Sequence, residues 1–295
     1  MRFILLILTT FTISLAAKAQ QKSYILTPTE SQFVPPFGPN LLKVRVLDCF
    51  GKLYSEHGRT VKNIVSFFFA SPANGLPYNI DLSYDNIMLE DDTNQLVASL
   101  YNQGVADPAT YIRHSVINQF TSALDKAGQD GVKVINYSLV DQGDTEFNVD
   151  EYNQITVMLD RYDMILVVPS GNENVGADRY PCSYKHPNII CVAAGRMSYV
   201  ENGRHNDGIV YAPYSNDNLA VQFVANGDFA GEYGTSYSAP RVTSALGFIW
   251  SQNPSMTSQE VLRKLHSYGK FVDTVYLSYH LTIESQIGLF ETETR

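Results

Sequence analysis

The chain has 295 residues, 44% hydrophobic, 12% aromatic and 17% charged, with a formal net charge of −9. This composition excludes disordered and collagen-like chains, and the length admits one large α/β domain or two small ones. The acidic balance, with no basic stripe, argues against nucleic acid or an anionic membrane surface as partner.

Residues 1–19 read as a secretory signal. Arg2 opens a basic start, Phe3 to Leu15 is an apolar run, and Ala17-Lys18-Ala19 is a small-x-small cleavage site. The run is short and interrupted by Thr, unlike a membrane span. Its removal takes away Arg2 and Lys18 and no acid, so the formal charge moves from −9 to −11. The expected location is periplasmic or secreted. Residues 20–40 hold four prolines and read as an extended lead-in. Residues 41–295 form the expected domain.

"LLKVRVLD" (41–48) predicts a buried strand with Asp48 at its end. "HGRTVKNIVSFFFA" (57–70) has helical apolar spacing, "YNIDLSYD" (78–85) alternates like a strand, and 108–131 opens on Pro and closes on Gly as a helix does. Further strands are expected at 132–139, 164–172 and 188–195, and a helix at 149–163. A helix begins at Ser236 and runs to about Trp250, and another covers 257–267. Strands rich in Val, Ile and Leu alternate with helices. That order predicts an α/β fold, a single domain with a mostly parallel central sheet and helices on both faces. Functional groups in such sheets gather at the carboxyl ends of strands, where Asp48, Ser138 and Asn172 lie.

Ser236 stands at the mouth of a helix in "GTSYSAP" (234–240). A serine there is an ordinary N-cap. It is also well placed as a nucleophile whose own N–H faces a developing oxyanion. A nucleophilic serine needs a base. Of six histidines, His57 is followed by Gly58 at a helix start and lies nine residues after Asp48. That interval spans up to about 30 Å, so an Asp48–His57 contact is within reach. Asn172 ends a strand in a Gly-Asn turn, either as a plain turn residue or as an amide aimed at the oxyanion. The spacing of Cys182 and Cys191 leaves open a disulfide between them or buried thiols, with Cys49 free. No Cys-x-x-Cys or His-Glu-x-x-His occurs, so no metal site is expected.

Together these segments resemble the subtilisin-like serine proteases, from about Val44 to His266. "VRVLD" is similar to the strand bearing the family's Asp, and "HGRTV" to its His-Gly helix start. "VINYSLV" resembles its substrate-binding strand, "VVPSGNEN" the strand ending in the oxyanion Asn, and "YPCSYKHPNIICVAA" the stretch that follows. "GTSYSAPRVTSAL" resembles the helix bearing the nucleophile. The order Asp48, His57, Ser236 is the family's order. The resemblance implies an exported serine endopeptidase with Asp48, His57 and Ser236 as catalytic triad, and Asn172 as oxyanion donor. It implies Ser138, Leu139 and Gly171 as substrate-binding residues and an extended polypeptide as partner. No cofactor is implied. Calcium sites in this family come from scattered loops, and no EF-hand-like loop is present.

The chain departs from the pattern at several points. Cys49 and Phe50 intervene before Gly51, the Asp-to-His interval is short, Arg59 replaces a usual Thr, and Val140 stands where Gly is usual. These departures motivate a second reading, a peptide-binding protein that does not cut. A third is an α/β-hydrolase esterase, since "GTSYS" is nearly Gly-x-Ser-x-Gly and Asp273 and His280 follow in that fold's order. Ser238 at the second Gly position and the absence of a hydrophobic strand before the motif oppose it.

Overall fold

A computed structural model describes residues 41–48, 50, 55–69, 80–87, 93–139, 147–199, 205–229, 231–268, 270–271 and 279–280. The expected signal, the lead-in, Cys49, Gly51, Val140 and Asp273 lie outside the described residues. Strands β1 (Leu42–Asp48), β2 (Ile80–Asn86), β3 (Val132–Tyr137), β4 (Ile165–Pro169), β5 (Ile189–Tyr199) and β7 (Val221–Asn226) pair in parallel in the order β2-β1-β3-β4-β5-β7. β6 (His205–Tyr211) runs antiparallel to β5. β11 (Tyr279–His280) continues the sheet beyond β7, and β10 (Lys270–Phe271) pairs antiparallel with it. A separate ribbon joins β8 (Asp228–Phe229) to β9 (Glu232–Tyr233).

Both faces of the sheet are covered, as the near-continuous apolar strands require. On one face, Val44, Val46, Val134, Val167 and Val192 pack with α1 (Ser55–Phe69), α5 (Thr235–Gln252) and α6 (Ser258–Tyr268) around Trp250. On the other, Leu47, Ile135, Leu166 and Val168 pack with α3 (Pro108–Gln129) and α4 (Val149–Tyr162) around Phe120 and Leu159. Alternate residues of one strand feed opposite clusters, the period-two rule of a pleated strand.

α5 is buried along nearly its whole length, which is why its sequence has no polar stripe. Asp107 caps α3 through Thr110 N–H, and Asn148 caps α4 through the N–H groups of Asp150 and Glu151.

Several elements differ from the sequence reading. α2 (Thr93–Asn102), β6 and β7 were not expected. "VQFVAN" is β7, a buried central strand with too few residues for a clear periodic signal. The helix bearing His57 starts two residues earlier, at Ser55.

The topology positions the site. The chain leaves β1 for the edge strand β2, then returns to β3 on the other side of β1. β1, β3 and β4 thereby become neighbours, although residues 49–131 separate the first two. At about 4.8 Å per strand, the ends of β1 and β4 are about 10 Å apart. Asp48, Ser138 and Asn172 stand in one row at those ends.

Candidate active site

Asp48 is the last residue of β1 and is fully buried. His57 lies in the first turn of α1, and its Nδ1 is 2.9 Å from Asp48 Oδ1. A carboxylate oxygen only accepts, so Nδ1 carries the proton and Nε2 is left as a bare lone pair. The imidazole is partly exposed, its side chain at 29%. Burial lowers its pKa, but the hydrogen bond and charge of Asp48 raise it more, and the net value lies above the ordinary 6.5. The arrangement is an imidazole oriented by a buried carboxylate and partly exposed to solvent.

Ser236 is the second residue of α5, which packs against α1. It is therefore not the N-cap. That position is Gly234, which has no side chain with which to cap the helix. The first-turn donors are instead divided among specific acceptors. Thr235 N–H donates to Asn172 Oδ1 at 2.8 Å, and Tyr237 N–H to the Gly234 carbonyl at 3.0 Å. No acceptor among the described residues takes the Ser236 N–H. The ring of Tyr237, next to Ser236, lies 5.9 Å from that of His57.

Asn172 stands in the turn after β4. Its Oδ1 accepts from both the N–H and the hydroxyl of Thr235. A backbone N–H can only donate, so the oxygen of the amide must face Thr235 and its NH₂ must face elsewhere. A β-carbon built on Gly234 would lie 3.6 Å from Asn172 Nδ2 and 3.8 Å from the Ser236 nitrogen. Two donors without an acceptor among the described residues thus lie within 4 Å of one point beside Gly234.

Ser138 has a role that the sequence reading missed. Pro240 sits in the sixth position of α5, beyond the first turn where it is freely tolerated. It lacks the N–H that would bond the carbonyl four residues back, which is that of Ser236. Ser138 Oγ donates to this carbonyl at 3.1 Å. The Ser138 hydroxyl accepts in turn from Asn136 Nδ2, and Asn136 Oδ1 accepts from Thr243 Oγ1. The Ser138 side chain is thus turned inward, and its backbone is what remains for an added strand. Leu139 is half-buried against the α3/α4 face, and Gly171 is buried with φ 104°. A side chain at Gly171 would strike Asn216 and Glu173.

The model of the subtilase family matches residues 74–267, about two thirds of the chain. The chain belongs to the subtilase family. Asp48 and His57 precede the matched segment of this subtilase, while Ser138, Asn172 and Ser236 fall inside it. None of the curated proteins compared matches the chain. Among solved structures, the protease domain of PatA aligns at 16% identity over 82% of this chain and 92% of its own, with a TM-score of 0.57. The prenylagaramide maturation protease PagA aligns at 17% over 78% and 84%, TM-score 0.53. A cold-adapted subtilisin-like serine proteinase aligns at 14% over 87% and 95%, TM-score 0.53. At these identities the likeness is one of fold.

The fold removes the esterase reading. Ser236 follows the short β8–β9 ribbon, not a strand of the main sheet, and His280 lies in β11, which pairs with β7. The subtilase also joins Cys182 and Cys191 in a disulfide, with Cα atoms 4.8 Å apart. Asn216, fully buried behind the Asn172 turn, drew no attention in the sequence. It lies in "PYSNDN", which reads only as a turn.

Proposed function

We propose that this subtilase is an exported serine endopeptidase in which Ser236 is the nucleophile, His57 the general base and Asp48 its orienting acid. The observation that carries the reading is the Asp48–His57 hydrogen bond, which leaves Nε2 bare and raises the imidazole's affinity for a proton. Ser236 Oγ attacks the peptide carbonyl carbon while His57 Nε2 takes its proton. The carbonyl oxygen becomes an oxyanion held by Asn172 Nδ2 and the Ser236 N–H. Collapse breaks the C–N bond, and His57 gives the proton to the leaving amine. Water, activated by the same imidazole, then hydrolyses the acyl-enzyme and restores the serine. The chemistry calls for side chains and water, and for no cofactor.

The substrate in this reading is an extended polypeptide that adds as a strand along the backbone of Ser138 and Leu139, with the main chain at Gly171 nearby. Two observations support export. One is the signal-like segment at residues 1–19, and the other is the Cys182–Cys191 disulfide, a bond of oxidising compartments.

The test is labelling of the purified mature chain with a serine-directed phosphonate, beside a mass-spectrometric cleavage profile on a peptide library. Modification at Ser236 together with turnover, both lost in Ser236→Ala, is expected. Equal turnover by wild type and variant overturns the assignment. Silence in both assays favours the peptide-binding reading.

A further inference from the structure

Six hydrogen bonds tie the single residue Asn216 to the turn that carries Asn172. Its N–H donates to Gly171 O, its carbonyl accepts from Ser170 Oγ, its Nδ2 donates to Ser170 O and Glu173 Oε2, and its Oδ1 accepts from the N–H groups of Glu173 and Val175. These partners bracket Asn172 on both sides and leave Asn172 itself out. The amide orientation is fixed, since two backbone N–H groups can only face an oxygen. Every donor and acceptor of this fully buried side chain is used, the condition under which a buried polar group rigidifies its surroundings.

The turn needs such support. Gly171 has φ 104° and Asn174 φ 54°, so two of its residues hold left-handed backbone. Asn172 is itself exposed, and among the described residues its side chain is anchored only through Thr235. Glu173, the next residue, is held by Asn216 Nδ2 at 2.6 Å, and Arg179 Nε lies 3.5 Å from the same carboxylate oxygen. Without the Asn216 side chain the turn keeps its main-chain bonds at Gly171 and Asn174 but loses four bonds to Ser170, Glu173 and Val175, and the amide is freer to swing. An oxyanion donor that swings loses the benefit of being in place before charge develops.

We propose that Asn216 is a positioning residue for the oxyanion amide of Asn172: it acts on turnover only through Asn172 and touches no substrate. The inference rests on the proposed peptidase reading. It separates Asn216 from buried polar residues with no link to the Asn172 turn, such as Thr121 and Thr156, whose loss would cost stability without a specific effect on the transition state.

The experiment is a double-mutant cycle between Asn216→Ala and Asn172→Ala. Its readouts are kcat, KM, the rate of Ser236 phosphonylation and thermal unfolding. Asn216→Ala in the wild-type background is expected to lower kcat about 10–100-fold with KM little changed, the scale of a small misplacement in an active site. In the Asn172→Ala background the same change is expected to cost kcat and phosphonylation almost nothing further, because the group it positions is gone. The same fold-loss in both backgrounds overturns the inference, as does a loss confined to KM. Where Asn216→Ala fails to fold, Glu173→Ala removes only one acceptor of the clamp and enters the same cycle, and additivity there is equally decisive against it. A wild-type chain that neither cleaves peptide nor reacts with phosphonate overturns the peptidase reading itself, and this inference falls with it.

Discussion

Ser138 donates its hydroxyl at 3.1 Å to the carbonyl of Ser236, the acceptor that Pro240 leaves without a helical partner. A residue 98 positions earlier in the sequence thus settles a problem that arises within one helix. Pro240, in the second turn of the helix, frees the Ser236 carbonyl, and a neighbouring strand end meets it.

Ser138→Ala should strand that carbonyl and also remove the acceptor of Asn136 Nδ2. The expected loss is about 1–3 kcal/mol of stability, typical of a buried polar group left unpaired. Pro240→Ala supplies the missing N–H, so it should recover part of that loss when combined with Ser138→Ala. Urea unfolding of the two single variants and the double variant measures this. Strict additivity would show that the two residues do not share the Ser236 carbonyl.

Gly234→Ala tests the space between the two proposed oxyanion donors. The φ of Gly234 is 164°, extended backbone open to any residue, and the nearest atoms to an added methyl lie at 3.6–3.8 Å. The fold should therefore tolerate it. The methyl would nevertheless stand beside Asn172 Nδ2 and the Ser236 nitrogen. Turnover should fall by about 10²-fold or more, the scale of a lost oxyanion donor, with a melting temperature near wild type. Unchanged kcat on a peptide substrate would place the oxyanion elsewhere.

Much of this was legible in the sequence, for identifiable reasons. β1, β3, β4 and β5 are runs of Val, Ile and Leu, and strands buried on both faces need such runs. The Asp48–His57 contact could be guessed because both residues end or begin an element. The Ser138 and Asn216 hydrogen bonds could not. Each depends on which face of a turn meets which helix, and a polar residue in a turn reads the same whether it meets water or a buried amide. Ser236 was open to reading as a cap for a related reason. Local preference favours serine at a helix start, and only the tertiary contact between Thr235 and Asn172 shows how the first-turn donors are used.

The Cys182–Cys191 bond closes a short loop, the two residues being nine apart, and both are buried. The unreduced, denatured mature chain should titrate one thiol, that of Cys49, and the reduced chain three. Replacing both paired cysteines with Ala should cost about 2–3 kcal/mol by loop-closure entropy. Three reactive thiols without reductant would contradict the pairing.

Asp48→Asn is the most direct probe of the base. The side chain is fully buried and the change is nearly isosteric, so packing should hold. An amide can present its NH₂ to His57 Nδ1, which favours the wrong tautomer, and turnover near neutral pH should fall by about 10⁴-fold. The pH profile carries a second signature. In the wild type, burial lowers the His57 pKa, but the Asp48 bond and charge raise it further, to above 6.5. The proposed mechanism needs the neutral imidazole, so kcat/KM should rise with pH through a midpoint above 6.5. In Asp48→Asn the two raising causes vanish and burial remains, so the midpoint of the residual activity should move to lower pH. Stability shifts in the matching sense. A histidine whose pKa is raised by folding stabilises the fold below its unfolded pKa, and this contribution is lost as pH rises through the folded value. The wild type should therefore show that loss above about pH 6.5 and Asp48→Asn should not. Asp81→Asn and Asp85→Asn are the controls. Asp81 is exposed on the edge strand β2, and Asp85 is paired with Arg45 at 3.2 Å. A severe loss of turnover confined to either control, with Asp48→Asn near wild type, would remove Asp48 from the site.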